Sequence, residues 1–194
     1  MSKFTILGDR VRNLLEETQI ALESIMPLVV ICGRQKCDDR SCDECEPSEK
    51  CHCTYNLRYE IKNKLNEENC LAATFEEDFN LTIASIEERI ILKKDVDLIF
   101  LIPDSPGSAA ELALFAKDPI IRPKLRVLVP HQYHPLYSDS ESFLTSFYWE
   151  LMPDMGHIYP IDPTCKLHPS GLKIASKMMH AFRLNRLAIL LNGK

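Results

Sequence analysis

The chain has 194 residues, a length that suits one domain. Hydrophobic residues make up 45% of it and charged residues 26%, as in ordinary soluble globular proteins. The formal net charge of −5 argues against nonspecific nucleic-acid binding, because neutralising phosphates requires an excess of Lys and Arg.

The sequence contains no targeting or membrane-spanning pattern. Charged side chains are spread through residues 1–25, so these residues lack the apolar core of a secretory signal peptide. No apolar run approaches the length of about 20 residues that crosses a bilayer. We therefore expect a cytoplasmic protein with no membrane partner.

Helices and strands are predicted to alternate along the chain. In chain order, the pattern predicts a helix over 1–26, a strand over 28–32, a polar Cys-rich loop over 34–53, a helix over 54–68, a strand over 70–75, a helix over 81–94, a strand over 98–102, a helix over 108–117, a strand over 125–129, a helix over 142–151, a strand over 157–161 and a helix over 171–191. In the helix over 54–68, Leu57, Ile61 and Leu65 are expected to face inward and Arg58 outward.

Short apolar strands that alternate with helices are typical of a parallel sheet covered on both faces. We therefore predict an α/β fold, a three-layer Rossmann-like (flavodoxin-like) sandwich with about five parallel strands and a Cys-rich insertion after strand one. The sequence contains no internal repeat and no clear boundary, so residues 1–194 are predicted to form a single domain.

The segment that follows the third strand is the first candidate site. Ligands of open α/β sheets bind beyond the carboxyl ends of the strands, where Gly33 and Arg34 also lie. Gly107 permits close approach of a ligand to the backbone, and Ser108 offers a hydroxyl at a helix start. Glu111 would lie one turn into that helix, near the crevice.

A structural interpretation of the same residues stays open. Ser108 and Glu111 have the spacing of a capping box, in which the two side chains satisfy amides at the start of a helix. Spacing alone does not separate that role from ligand binding.

The run from Asp97 to Ala116 resembles the nucleoside 2-deoxyribosyltransferase-like superfamily and its relatives among TIR and SLOG domains. More narrowly, it resembles small effector proteins encoded beside bacterial retron reverse transcriptases. The resemblance rests on Ser-Pro-Gly-Ser-Ala-Ala-Glu-Leu over 105–112, the strand over 124–129 and Ser142-Phe143, and covers about residues 28–150. Ala113 stands where relatives often have glycine.

The resemblance implies an N-glycosidase. In such enzymes the helix glutamate attacks the anomeric carbon and displaces the base, which would make Glu111 the catalytic nucleophile. Ser108 would contact the ribose or its phosphate. The resemblance extends the substrate-binding set at the ends of the strands, which then comprises Gly33, Arg34, Asp78, Asp104, Ser105, Gly107 and Ser108. Arg58 is a further candidate for an acid, base or hydroxyl-binding role.

The Cys-rich loop is a candidate metal site. Cys42 and Cys45 have the spacing of a zinc knuckle, and further ligands are available in a set comprising Cys37, Cys42, Cys45, Cys51 and Cys53, with His52 beside them. A structural zinc would explain how a long polar loop becomes ordered. The alternative is a loop of free thiols. No downstream Pro-Cys-x-x-Cys is present, which argues against a deaminase site.

Other residues have a structural and a functional interpretation. His131 and His134 follow strand four at the expected ligand end of the sheet. The aromatic residues Phe143, Phe147, Tyr148 and Trp149 would either stack a base or pack in the core. The basic, apolar C-terminal helix would cover the sheet or bind a partner.

Three hypotheses follow. The first is an N-glycosidase that acts on a nucleotide, nucleoside or NAD without an organic cofactor, and that serves as a toxin in antiphage defence. The second is a non-catalytic nucleotide-sensing domain. The third is a zinc-stabilised interaction subunit of a complex that contains a retron reverse transcriptase or nucleic acid. Association of the chain with further copies of itself, as a homo-oligomer, is also compatible with these hypotheses.

Overall fold

Five short strands form one sheet in which every neighbouring pair is parallel. The strands are β1 (Leu28–Cys32), β2 (Leu71–Ala73), β3 (Leu98–Leu101), β4 (Leu125–Pro130) and β5 (Ile158–Ile161). Their spatial order is β2-β1-β3-β4-β5. The predicted α/β fold with a flavodoxin-like parallel sheet is therefore confirmed.

The computed structural model describes residues 3–33, 54–79, 91–137, 143–155, 157–162 and 169–192. The helices with defined bounds are α1 (Lys3–Glu23), α2 (Thr54–Glu67), α3 (Pro106–Lys117), α4 (Phe143–Met155) and α5 (Gly171–Asn192). Residues 91–94 are also helical, a π-helical turn spans Phe75–Phe79, and 3-10 turns span Arg122–Lys124 and His131–Tyr133. The predicted Cys-rich insertion lies outside these ranges.

Both faces of the sheet are covered. One face contributes Val30, Ile99, Leu101 and Val127 to a cluster with Leu112 and Phe115 of α3 and Tyr148 of α4. The alternate residues Val29, Ile31, Phe100 and Leu128 are equally inaccessible to solvent. Because side chains alternate between the faces of a strand, these two sets define two covered faces and hence three layers.

Helix α2 packs beside β1 and β2. Its contact with the first residues of α5 is close, because a Cβ on Gly171 would lie 2.9 Å from Leu57 Cδ2. Ser176 Oγ donates to Glu68 Oε1 at 2.8 Å and closes the same pair of helices further along. These contacts hold the start of α5 against α2.

The chain divides into two compact units. One comprises Pro27–Ser176 and contains the sheet; the other comprises Met1–Met26 with Lys177–Lys194 and is helical where described. Within the helical unit, Arg183 Nε donates to the carbonyl of Ile25 at 3.1 Å. The expectation of a single domain stays a prediction. No helix among the described ranges is long and apolar enough to span a membrane.

Candidate functional site

The order of the strands places a crevice at the carboxyl ends of β1 and β3. β1 pairs with β2 on one side and with β3 on the other, and the chain reverses its direction of progress across the sheet at that point. Open parallel sheets bind ligands at such a reversal. Gly33 follows β1 and the segment 102–105 follows β3, so both predicted strand ends meet there.

Gly33 lies against the neighbouring strand end. A Cβ at this position would lie 3.3 Å from the Ile102 carbonyl oxygen and 3.4 Å from Ile102 Cβ. These distances are at or below the lower end of the contacts that Cβ atoms usually make. The absence of a side chain therefore lets the two strand ends approach each other. This role accounts for Gly33 without a ligand.

Arg58 lies beneath this crevice and faces inward. Only 1% of its surface is exposed, and its Nη1 donates to the Gly33 carbonyl at 2.8 Å. Nη2 donates to the Tyr59 hydroxyl at 2.8 Å, and the guanidinium lies 5.0 Å from the centroid of that ring. The prediction that Arg58 faces outward was wrong, because it shares the inward face of α2 with Ile61 and Leu65.

Helix α3 begins earlier than predicted and has a different cap. Ser105 is the N-cap residue, and Pro106 is the first helical residue. Ser105 Oγ accepts from the Ser108 amide at 3.2 Å, while Ser108 Oγ accepts from the Ser105 amide at 3.0 Å. The capping box is therefore formed by Ser105 and Ser108, and the interpretation of Ser108 and Glu111 as the box was wrong.

Glu111 therefore takes no part in the cap of α3. Glu111 lies in the second turn of α3 and is buried, with 4% of its surface exposed. It shares the inward face of the helix with Ser108, Leu112 and Phe115. A buried carboxylate is costly and is uncommon outside functional or paired sites.

Asp104 and Tyr148 face the same region from two elements. Asp104 is partly buried directly after β3, and Ser108 Oγ lies 3.5 Å from its Oδ1. Tyr148 on α4 is 1% exposed. Burial raises the pKa of the Tyr148 phenol, and the negative charge of Asp104 raises it further, so the phenol stays protonated at neutral pH.

Asp78 lies at the same edge of the sheet, in the turn that follows β2. Its Oδ2 accepts from the Thr74 amide at 2.6 Å and forms an ion pair with Lys62 Nζ at 2.7 Å. Desolvation alone would raise the pKa of Asp78, but the hydrogen bonds from Lys62 and Thr74 and the charge of Lys62 together outweigh it and lower the pKa. Its carboxylate therefore closes the turn and ties it to α2.

The two histidines after β4 differ in their surroundings. His134 is buried, its Nδ1 accepts from the Leu136 amide at 3.3 Å, and its Nε2 lies 3.3 Å from the Ile158 carbonyl. These bonds fit a neutral ring protonated on Nε2, which joins the loop to β5. His131 is partly buried and stacks on Tyr137 with ring centroids 5.4 Å apart.

Several predicted residues fall outside the described ranges. They are Arg34 and the metal set Cys37, Cys42, Cys45, Cys51 and Cys53. Among the described residues, no cluster of His, Cys, Asp and Glu fits a metal ion, and Cys32 and Cys70 are buried. The zinc hypothesis therefore stays a prediction.

The carboxyl ends of β1 and β3 are followed by Gly33 and by Asp104, Ser105 and Ser108 at one edge of the sheet, with Gly107 exposed in the first turn of α3. Glu111 lies one turn beyond Ser108, on the buried face of α3. Four neighbouring aromatic residues, of which Tyr148 is one, have the same two possible roles on the basis of the sequence.

Trp149 is 52% exposed and Phe147 is partly buried against the core. The sequence feature that distinguishes Tyr148 from these two residues is its position on the buried face of α4. The Asp104 carboxylate therefore lies beside the capped start of α3 and near enough to the Tyr148 phenol for its charge to raise the pKa of that group.

Comparison with known protein families gives a match in the central part of the chain. No curated protein matches the chain. Residues 54–146, from the start of α2 into α4, match the family model described as STM3845 retron effector protein. The match includes Arg58, Asp104 and Glu111 and leaves out Gly33, Tyr148 and the Cys-rich loop. The matched part is slightly less than half of the chain, and over this part the chain is similar to a family of retron effector proteins.

Proposed function

We propose that the protein is an effector of retron-based antiphage defence and that it acts as an N-glycosidase on a nucleotide, a nucleoside or NAD. The match of residues 54–146 to retron effectors supports the first part. The observation that carries the second part is the buried carboxylate of Glu111, which lies one turn beyond the start of α3 and takes no part in the cap of that helix.

In the proposed reaction, a Glu111 carboxylate oxygen forms a bond to the anomeric carbon of the sugar. The bond from that carbon to the base nitrogen breaks, and its electron pair leaves with the base, which takes up a proton. Water then attacks the glycosyl-enzyme ester and releases the sugar and the free carboxylate. In this proposal Asp104 binds a sugar hydroxyl; its partial exposure after β3 supports that role.

The test is release of base. The protein, alone and together with a retron reverse transcriptase, is incubated with a panel of nucleotides, nucleosides and NAD, and free base or nicotinamide is measured by chromatography. We expect release by the wild-type chain and a loss on the order of a thousandfold or more in Glu111→Gln, which cannot form the ester.

Glu67→Gln is the matched control, because the Glu67 side chain is 70% exposed on α2. It is expected to retain full activity. Absence of release under every condition would overturn the glycosidase and favour the nucleotide-sensing alternative, for which binding of the same panel is then measured. Release that survives Glu111→Gln would remove Glu111 as nucleophile.

A further inference from the structure

The exposed apolar residues are unevenly distributed. Sixteen large hydrophobic residues are exposed among the described residues, and nine of them lie in the helical unit formed by Met1–Met26 and Lys177–Lys194. The nine are Val11, Leu14, Leu15, Ile20, Met26, Leu184, Ile189, Leu190 and Leu191. Soluble monomers rarely concentrate apolar surface in this way.

On α1 the exposed apolar residues form a stripe. Val11, Leu14 and Leu15 have the spacing of one helix face and are 49%, 62% and 64% exposed. Residues 11–17 are exposed on every side, so this part of α1 has no cover within the described chain. The helix nevertheless keeps the apolar spacing of a packed element.

The last turns of α5 are apolar around most of their circumference. Residues 187–191 are Leu-Ala-Ile-Leu-Leu, and Ile189, Leu190 and Leu191 are 67%, 59% and 65% exposed. A helix that is apolar on several sides is normally buried. None of the described residues buries these turns.

The charges of the two helices are complementary. Glu16, Glu17 and Glu23 make the second half of α1 acidic, whereas α5 contains four basic residues and no acidic one. The basic residues are Lys173, Lys177, Arg183 and Arg186. A two-fold interface places the same patch on both sides, so it is stable only where that patch complements itself. An acidic helix beside a basic helix meets this condition.

We propose that the helical unit is a self-association surface, on which α1 and α5 of one copy pack against α5 and α1 of a second copy about a two-fold axis. The apolar stripe of α1 then covers the last turns of α5, and the glutamates of one copy face the arginines of the other. This proposal is independent of the glycosidase, because it uses no residue of the crevice.

A second copy fits these charges better than a polyanion or an anionic lipid surface. Either of those ligands would favour the basic residues of α5 but would be repelled by the three glutamates of α1. The apolar side chains also lie on both helices, where a phosphate backbone gives them no partner.

The experiment is sedimentation equilibrium of the full-length chain over a wide concentration range. We expect a dimer for the wild type and a dissociation constant raised at least tenfold in Leu14→Glu/Leu190→Glu, since each change buries a charge in the apolar contact. Glu16→Lys/Glu17→Lys should also weaken the dimer, because it replaces two attractive contacts with the basic helix of the second copy by two repulsive ones.

Leu114→Glu is the matched control, since Leu114 is 44% exposed on α3, outside the helical unit. It is expected to leave the dimer unchanged. Circular dichroism checks that each variant is folded, and Leu14→Gln/Leu190→Gln serves for the same comparison if the glutamates lower the Tm.

Three outcomes would overturn the proposal. The first is a wild-type chain that is monomeric at every concentration. The second is a dimer insensitive to both the apolar and the charge-reversing changes. The third is association that occurs only with single-stranded DNA or with phosphatidylserine vesicles, which would assign the surface to that ligand.

Discussion

Asp118 follows α3 and carries a buried carboxylate that three groups hold in its ionised form. Lys93 Nζ lies 2.7 Å from Oδ2, and the amides of Ile120 and Ile121 donate to Oδ1 at 3.0 Å and 3.4 Å. The hydrogen bond from Lys93, followed by those from the two amides, lowers the pKa of Asp118 to about 2. Desolvation acts in the opposite direction and is outweighed.

The lowered pKa predicts a dependence of stability on pH. A carboxyl whose pKa is lower in the folded state stabilises the fold above its unfolded pKa of 3.8, and that contribution is lost as the pH falls toward 2. We expect Asp118→Asn to lower the free energy of unfolding by about 1–2 kcal/mol at neutral pH and to flatten its acid dependence.

Urea denaturation at a series of pH values measures this effect. Asp95→Asn is the control, because Asp95 is exposed three residues before β3 begins at residue 98, and the pH profile of this variant should match the wild type. An Asp118→Asn profile parallel to that of the wild type would contradict the assigned role.

The burial of Arg58 shows why part of the site could not be predicted from the sequence. The helical pattern of α2 correctly identifies Ile61 and Leu65 as buried, and it assigns a charged residue to the solvent face by default. The acceptor that makes the burial of Arg58 favourable is the carbonyl of Gly33, which lies 25 residues away in sequence. Periodicity contains no information about such a partner.

At the scale of elements, the start of α3 shows which local sequence features predict the first residue of a helix correctly and which do not. Ser108 and Glu111 match the capping pattern, yet the helix begins at Pro106 because proline favours the first helical position. Ser105 then becomes the cap, and Ser108 falls at the third helical position. The proline was visible in the sequence and was the better signal.

This cap gives a prediction for helix stability. We expect Ser105→Ala to cost about 1 kcal/mol of unfolding free energy, because the Ser108 amide loses its acceptor. Ser105→Asp should restore most of that loss, since its carboxylate can accept the same bond. Chemical denaturation measures both. Equal losses in the two variants would show that the Ser105 hydroxyl acts in some other way.

The strands were predictable to within two residues at each end because each is a short, continuous apolar run. The β1 bounds, 28–32, are those predicted, and β4 extends one residue further, to Pro130. Both faces of the sheet are covered, so the whole strand is apolar and its limits are sharp in the sequence. The order of the strands also follows from common rules for such folds.

At the scale of the whole molecule, the zinc hypothesis remains to be tested. Elemental analysis of the purified chain is expected to give about one zinc per molecule, since four Cys or His ligands complete a tetrahedral site. Cys42→Ser/Cys45→Ser should lose the metal and lower the Tm, whereas Cys165→Ser, outside the loop, should retain it. A chain that contains no zinc when purified without chelators would contradict the hypothesis.

The interior position of β1, between β2 and β3, also has a consequence for synthesis of the protein. The amide of Leu28 bonds to a side chain 69 residues further along the chain, and β1 pairs with β3 along its length. A chain emerging from the ribosome can therefore pair β1 with β2 long before β3 is available. The crevice, and with it the carboxylate of Glu111, comes into existence only after more than half of the chain has been made. A truncated or stalled product that ends before β3 would contain the first strand and Arg58 but no assembled site.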